Sequence, residues 1–260
     1  MIISIIVLGS LGLVFGIVLT LARQKLKIET NPLVEKITNL LPGANCGACG
    51  YGTCQQLAEK IVKGEAEPDR CSASNPETIT KIDEILGKKV KIKKKKVARV
   101  LCAGGKKNAK EKFSYYGIKD CQAAMLVAGG NLLCKYGCLG FGSCVAVCPF
   151  DAIKMDENSL PVIDAEKCTG CGKCVDACPK GLIQLLPLSQ KFLVACSSQD
   201  KGATVVKSCS VGCIGCQKCV KVCPTDAISV ENFLARIDAE KCNNCGKCVE
   251  VCPKGIIVTT

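Results

Sequence analysis

Histidine and tryptophan are absent from the 260 residues, and aromatic side chains make up only 4% of them. Without histidine, Rieske ligation, histidine-ligated haem and mixed cysteine–histidine zinc sites are excluded, as is an imidazole general base. The scarcity of aromatics removes the stacking platforms on which single-stranded nucleic acid is held. There is also no Rossmann glycine fingerprint and no phosphate-binding P-loop, so the expectation is no NAD, flavin or haem in this chain and no catalytic residue of its own.

What the chain has in excess is cysteine, 24 residues in all. Such a content suits a disulfide scaffold in a short secreted protein. Here, however, most cysteines lie two or three residues apart in compact runs, which favours metal. With histidine missing, only all-thiolate sites remain: iron–sulfur clusters or four-cysteine zinc. With so few aromatics, bound clusters are expected to supply folding energy that an apolar core would otherwise provide.

The formal net charge of +12 points first to nucleic acid or an anionic surface, but it counts cysteine as neutral. An oxidised 4Fe-4S core carries two positive charges and its four thiolates four negative ones, so six clusters would bring the balance to zero. One local excess stands out, "KKVKIKKKK" from Lys88 to Lys96. It reads either as a solvated linker or as a patch that steers an acidic partner, with Lys93, Lys94, Lys95 and Lys96 as the partner-binding residues.

Residues 1–22, "MIISIIVLGSLGLVFGIVLTLA", contain no charged side chain. At 1.5 Å per residue a helix of that length spans roughly 33 Å, enough for a bilayer. A transmembrane anchor is expected, since neither a basic n-region nor a cleavage site marks a signal peptide. Arg23, Lys25 and Lys27 follow the run, which places the bulk of a single-pass chain on the cytoplasmic side of a bacterial or archaeal inner membrane. Reducing conditions there disfavour disulfides. Gly9, Gly12 and Gly16 fall near one face of the helix, either for packing on another membrane helix or as glycines tolerated in lipid. No ionisable group lies within the run, so an ion path would belong to partners.

Leu33, Val34, Ile37, Leu40 and Leu41 recur at helical spacing and stop at Pro42-Gly43. Then comes "CGACGYGTC", with a distant fourth thiol, giving Cys46, Cys49, Cys54 and Cys71 as one ligand set. The helix that Cys54 opens ends at Gly64, and its N-terminal dipole favours an anionic cluster nearby. Residues 72–96 read as a helix and a lysine-rich linker.

The remainder is a duplication. "CPFDAIKMDENSLPVIDAEKCTGCGKCVDACPKG" (148–181) matches "CPTDAISVENFLARIDAEKCNNCGKCVEVCPKG" (223–255) nearly throughout, with one residue deleted in the central loop. Each copy holds a hairpin-like strand pair and a CxxCxxCxxxCP run, the bacterial ferredoxin arrangement in which three cysteines of one run and the fourth of the other hold each cluster. The second copy yields Cys213, Cys216, Cys219 with Cys252, and Cys242, Cys245, Cys248 with Cys223. The first yields Cys168, Cys171, Cys174 with Cys148. Its other run, "YGCLGFGSCVAVCP", has Phe141 where Cys216 stands in the second copy. Cys134, four residues before Cys138, is the nearest replacement, giving Cys134, Cys138, Cys144 and Cys178. A competing assignment puts Cys121 or Cys209 there instead, which would leave a sixth site among the remaining thiols incomplete. Zinc in isolated CxxC pairs is the alternative to clusters.

Five clusters leave Cys102, Cys121, Cys196 and Cys209. "VARVLCAGG" and "KFLVACSSQDKG" both read as an apolar strand ending in cysteine, so a pseudo-twofold pairing of two insertions would gather the four into a sixth 4Fe-4S site. Otherwise they are ordinary buried thiols.

An N-terminal apolar helix, a "CGACGYGTC…C" segment and a double ferredoxin, spanning essentially the whole chain, together resemble the B subunits of the Rnf complex. The first cluster motif alone is less specific, because corrinoid iron–sulfur proteins carry similar domains. The resemblance implies a membrane-anchored electron-transfer subunit of an ion-translocating ferredoxin:NAD oxidoreductase. Such a subunit takes low-potential electrons from reduced ferredoxin and relays them to flavin and iron–sulfur partner subunits, without a complete active site of its own. An anchored polyferredoxin feeding another membrane redox enzyme shares every motif. The expected fold is α+β: a transmembrane helix (1–22), a small mainly helical 4Fe-4S domain (30–75), a lysine-rich linker (76–96), and two ferredoxin-like modules with strand-helix insertions (97–190 and 191–260). No nucleic acid is expected as a partner.

Overall fold

The computed structural model describes residues 2–25, 31–87 and 95–260. Helix α1 covers Ile2–Lys25. Its described side chains run from 9 to 22 and are exposed up to residue 21, including Leu11, Phe15, Ile17 and Leu19. Among the described residues, no helix is long and apolar enough to cross a membrane. Most of the lysine run, including Lys93 and Lys94, lies outside the described residues, as does Lys27.

The first packed unit is helical. Helix α2 (Pro32–Leu40) starts with Asn31 accepting the Leu33 N–H, and α3 (Cys54–Val62) starts with Thr53 accepting that of Gln56. A 3-10 turn at Pro68–Arg70 leads to α4 (Pro76–Leu86), which Asn75 caps and Gly87 ends at φ 64°. These polar caps satisfy donors that the first turn leaves unpaired. The i, i+3, i+4 spacing turns Val34, Ile37 and Leu41 inward against Leu57, Ile61 and Ile82.

Two ferredoxin-like modules follow, each opened and closed by strands that pair with one another. In the first, β1 (Lys96–Val100) runs antiparallel to β4 (Ile183–Pro187), and between them lies the hairpin β2 (Ile153–Met155) and β3 (Pro161–Ile163). In the second, β5 (Phe192–Val194) pairs with β8 (Ile257–Thr259) and encloses the hairpin β6 (Ile228–Glu231) and β7 (Leu234–Ile237). The short helices α7 (Ser143–Ala146), α8 (Lys173–Asp176), α10 (Lys218–Lys221) and α11 (Lys247–Glu250) each contain the cysteine at the third ligand position of a run. The insertions sit between the first strand and the first run. They carry α5 (Gly105–Asn108) and α6 (Cys121–Leu126) in one module, and α9 (Gly202–Ser208) in the other. They are stitched together, for Ala103 N–H donates to the Ala195 carbonyl (2.9 Å) and Ala109 bridges Cys209.

Lys95 is not a free surface cation. Its Nζ donates to the carbonyls of Ala165 (3.1 Å) and Glu166 (3.4 Å), fastening the start of β1 to the loop before Cys168.

Candidate metal centres

The helical unit gathers the first four thiols by two hydrogen bonds. The Cys54 N–H donates to Oδ1 of Asn45, next to Cys46 (2.8 Å), and Nε of Arg70, next to Cys71, donates to the Cys49 carbonyl (3.1 Å). Cys71 is buried in the apolar core, with Cys49 and Cys54 packed on its edge.

In the modules, three cavities follow the thiol sets that the runs define. Cys213, Cys216, Cys219 and Cys252 line one of about 380 Å³. Cys148, Cys168, Cys171 and Cys174 line one of about 310 Å³, and Cys223, Cys242, Cys245 and Cys248 one of about 300 Å³. Backbone donors are aimed at these sulfurs: Ala98 N–H to Cys168 (3.4 Å), Ala227 N–H to Cys223 (3.3 Å) and Asn244 N–H to Cys242 (3.4 Å). Such bonds stabilise a thiolate and tune the potential of a cluster it holds. Among the described residues, no three donor side chains converge closely enough for a single metal ion. A 4Fe-4S cluster asks for a different arrangement, with each thiolate bound to its own iron around a shared core, and pockets lined by four sulfurs fit it.

A fourth cavity, also about 380 Å³, is lined by Cys102, Cys134, Cys196 and Cys209. Cys134 thus lies away from the site beside Phe141, where its closeness in sequence to Cys138 suggested it. Cys121 is there instead. Its N–H donates to Oγ of Ser143 (2.7 Å), which in turn donates to Oδ2 of Asp120 (2.6 Å), so the start of α6 is pinned to the residue before Cys144. Tyr115 and Phe141 stack with centroids 5.2 Å apart and pack with Cys121 in one apolar cluster.

Electrostatics report the same neighbours. Burial first, then the nearby Cys121 and Cys178, push the Cys144 thiol up to about 11. Burial, with Cys102, Cys121 and Cys144, pushes that of Cys138 up to about 12. Cys134 is raised by burial and then by Cys102 and Cys209. Electrostatic influence also runs between sites. After burial, Cys46 contributes to raising Cys171, and Cys144 contributes to raising Cys174, whose thiol reaches about 12. Cys138 N–H donates to Sγ of Cys102 (3.5 Å), and Cys213 N–H to Sγ of Cys196 (3.3 Å). Only Cys216 and Cys245 of the 24 cysteines are exposed.

Three family profiles match. "Putative Fe-S cluster" covers residues 41–73, and two profiles described as "4Fe-4S dicluster domain" cover 134–184 with 195–256, and 160–210. The chain is 45% identical over 236 residues to the B subunit of the Na(+)-translocating ferredoxin:NAD(+) oxidoreductase complex of Acetobacterium woodii, covering 91% of this chain and 71% of that one. It is 46% identical to the B subunit of the proton-translocating ferredoxin:NAD(+) oxidoreductase complex of Clostridium ljungdahlii (92% and 84% covered). A third relative, the B subunit of the ion-translocating oxidoreductase complex of Methanosarcina acetivorans, is 43% identical (92% and 90% covered).

Proposed function

The chain belongs to the B subunits of the ion-translocating ferredoxin:NAD oxidoreductase (Rnf) complexes, iron–sulfur electron-transfer subunits of a membrane-associated assembly, and from that premise we propose that it is an anchored wire for single electrons leaving reduced ferredoxin. The observation that carries this reading is the set of thiol-lined sites, four of whose junctions are marked by Cys46 acting on Cys171, Cys144 on Cys174, and the Cys138 and Cys213 N–H groups donating to Cys102 and Cys196. When bound, 4Fe-4S clusters supply reversible one-electron redox chemistry at low potential, which suits ferredoxin as donor. The chain's own residues would hold the clusters, bury eight of the thiols and aim N–H donors at several of their sulfurs.

Helix α1 is the anchor in this reading, its exposed apolar side chains facing lipid or a partner helix. It offers no ionisable group along the apolar run, so the coupling ion, sodium or proton, passes through other subunits. A chain lacking residues 1–26 is expected to leave the membrane fraction and keep its iron; retention in membranes without partner subunits would contradict the anchor.

The lysine run is proposed as the ferredoxin-facing patch. Because Lys95 fastens β1 internally, the test replaces Lys93, Lys94 and Lys96 with glutamine in the assembled complex. Ferredoxin oxidation is expected to slow about 3- to 10-fold at low ionic strength, with the difference vanishing at high salt. An unchanged rate at low salt would leave the run a linker.

A further inference from the structure

The fourth cavity lies between the two modules, and its lining is symmetric in a way the sequence repeat explains. Cys102 follows β1 and Cys196 follows β5, at equivalent places beyond the opening strands. Cys134 and Cys209 each stand four residues before the first cysteine of a run. Every one of these relations is doubled by a contact. Cys102 accepts from Cys138 N–H as Cys196 accepts from Cys213 N–H. Lys180 Nζ donates to the carbonyl of Lys135, just after Cys134 (2.6 Å), as Lys254 Nζ does to that of Ser210, just after Cys209 (3.0 Å). At Gly104 a Cβ would sit 3.6 Å from both the Cys102 and the Cys209 sulfurs, so two thiols from different modules converge on one glycine. Like the pocket of Cys213, Cys216, Cys219 and Cys252, the cavity is lined by four sulfurs.

We propose that Cys102, Cys134, Cys196 and Cys209 hold a sixth 4Fe-4S cluster that bridges the modules, while Cys121 supplies the ligand missing at Phe141 and completes a site with Cys138, Cys144 and Cys178. Cys102 and Cys121 lie outside every matched profile. The proposal rests on the cluster-relay reading above and deepens it, because this cavity is lined by two thiols from each module. The step is a bare one-electron transfer. A neighbouring site in one module is oxidised by one electron as the bridge is reduced, and the bridge is reoxidised as the next module takes that electron. Reduced ferredoxin is the source, and no bond or proton changes.

Iron and sulfide counts on the full chain, purified without oxygen, test this. The wild type is expected to hold about 24 iron atoms, four for each of six clusters. A Cys102→Ala, Cys196→Ala double variant should hold about 20. Adding Cys134→Ala to it should cost no further iron, whereas adding Cys121→Ala should remove about four more. Phe141→Cys restores an ordinary run, so it should return the lost iron to the Cys121→Ala single variant and not to Cys134→Ala. That pair of variants decides the ligand exchange even if the double variant fails to fold. A wild type with about 20 iron atoms, unchanged in the double variant, would overturn the bridge. Rescue of Cys134→Ala by Phe141→Cys would overturn the exchange. An iron-free, zinc-loaded chain would instead overturn the relay reading itself.

Discussion

Stripping iron from the chain with a chelator should abolish the cooperative unfolding of both ferredoxin-like modules. Their cores are thin. In the second, Leu193, Val194, Ile228, Leu234 and Ile257 share the buried cluster with Cys213, Cys219 and Cys248; in the first, Val97, Ala152, Ile153 and Ile183 share it with Cys144, Cys168 and Cys174. The ligands are part of the core. Without iron the buried thiols lose the group that joins them, so these cores lose the links between their parts, in domains whose whole stability is about 5–15 kcal/mol. The helical unit has a separate apolar core, in which Ile37, Leu57, Ile61 and Ile82 are fully buried, each worth about 1.5–3 kcal/mol. Its helices should therefore outlast those of the modules. Calorimetry and circular dichroism of the iron-free chain check this, and a module transition unchanged from the loaded protein would contradict it.

The same thiols set a pH dependence for whatever fold the iron-free chain retains. Burial first, then neighbouring cysteines, raise Cys138 and Cys174 to about 12, and Cys144 and Cys219 to about 11, from an ordinary 9.0. A raised folded value means that the fold keeps protons the unfolded chain gives up. The stabilisation is thus complete below 9.0 and is lost as pH climbs through about 11 to 12. In the loaded chain iron holds these groups as thiolates, so acid, where protons compete with iron, becomes the sensitive side.

The second large effect concerns the wire. Replacing both Cys171 and Cys174 with alanine removes ligands from the site whose thiols feel both Cys46 and Cys144. Steady-state ferredoxin:NAD turnover of the assembled complex should fall at least about 100-fold, equivalent to about 2.7 kcal/mol in barrier. The sites on the ferredoxin side of the break should still be reduced in a single turnover while those beyond stay oxidised, which also fixes the direction of flow. Turnover near wild type would mean that the sites act in parallel rather than in series.

Much of this architecture is legible in the residues because ligand spacing is local. CxxCxxCxxxCP fixes three sulfurs on one loop and sends the fourth to its partner run, and the duplication repeats the hairpin between them. The helical periodicity of Val34, Ile37 and Leu41 likewise announces a buried face. What spacing cannot supply is a ligand brought in through tertiary contact. Cys121, the ligand proposed for the gap at Phe141, stands 17 places before Cys138, and Ser143 and Asp120 pin the start of α6 beside Cys144. Proximity in sequence favoured Cys134, four residues away. A signal for the proposed arrangement was present, since Cys134 aligns with Cys209, and a pseudo-twofold site treats the two alike. Lys95 shows the converse, a charge in a conspicuous run that is fastened to the Ala165 and Glu166 carbonyls.

The most direct test of the relay is an anaerobic titration of the complete chain with reduced ferredoxin, following bleaching of visible absorbance. A wire of six communicating clusters takes up about six electrons per chain, one per cluster, without added mediator. Uptake of about one electron or fewer by an iron-loaded chain would show that the sites do not communicate, and the account would fail.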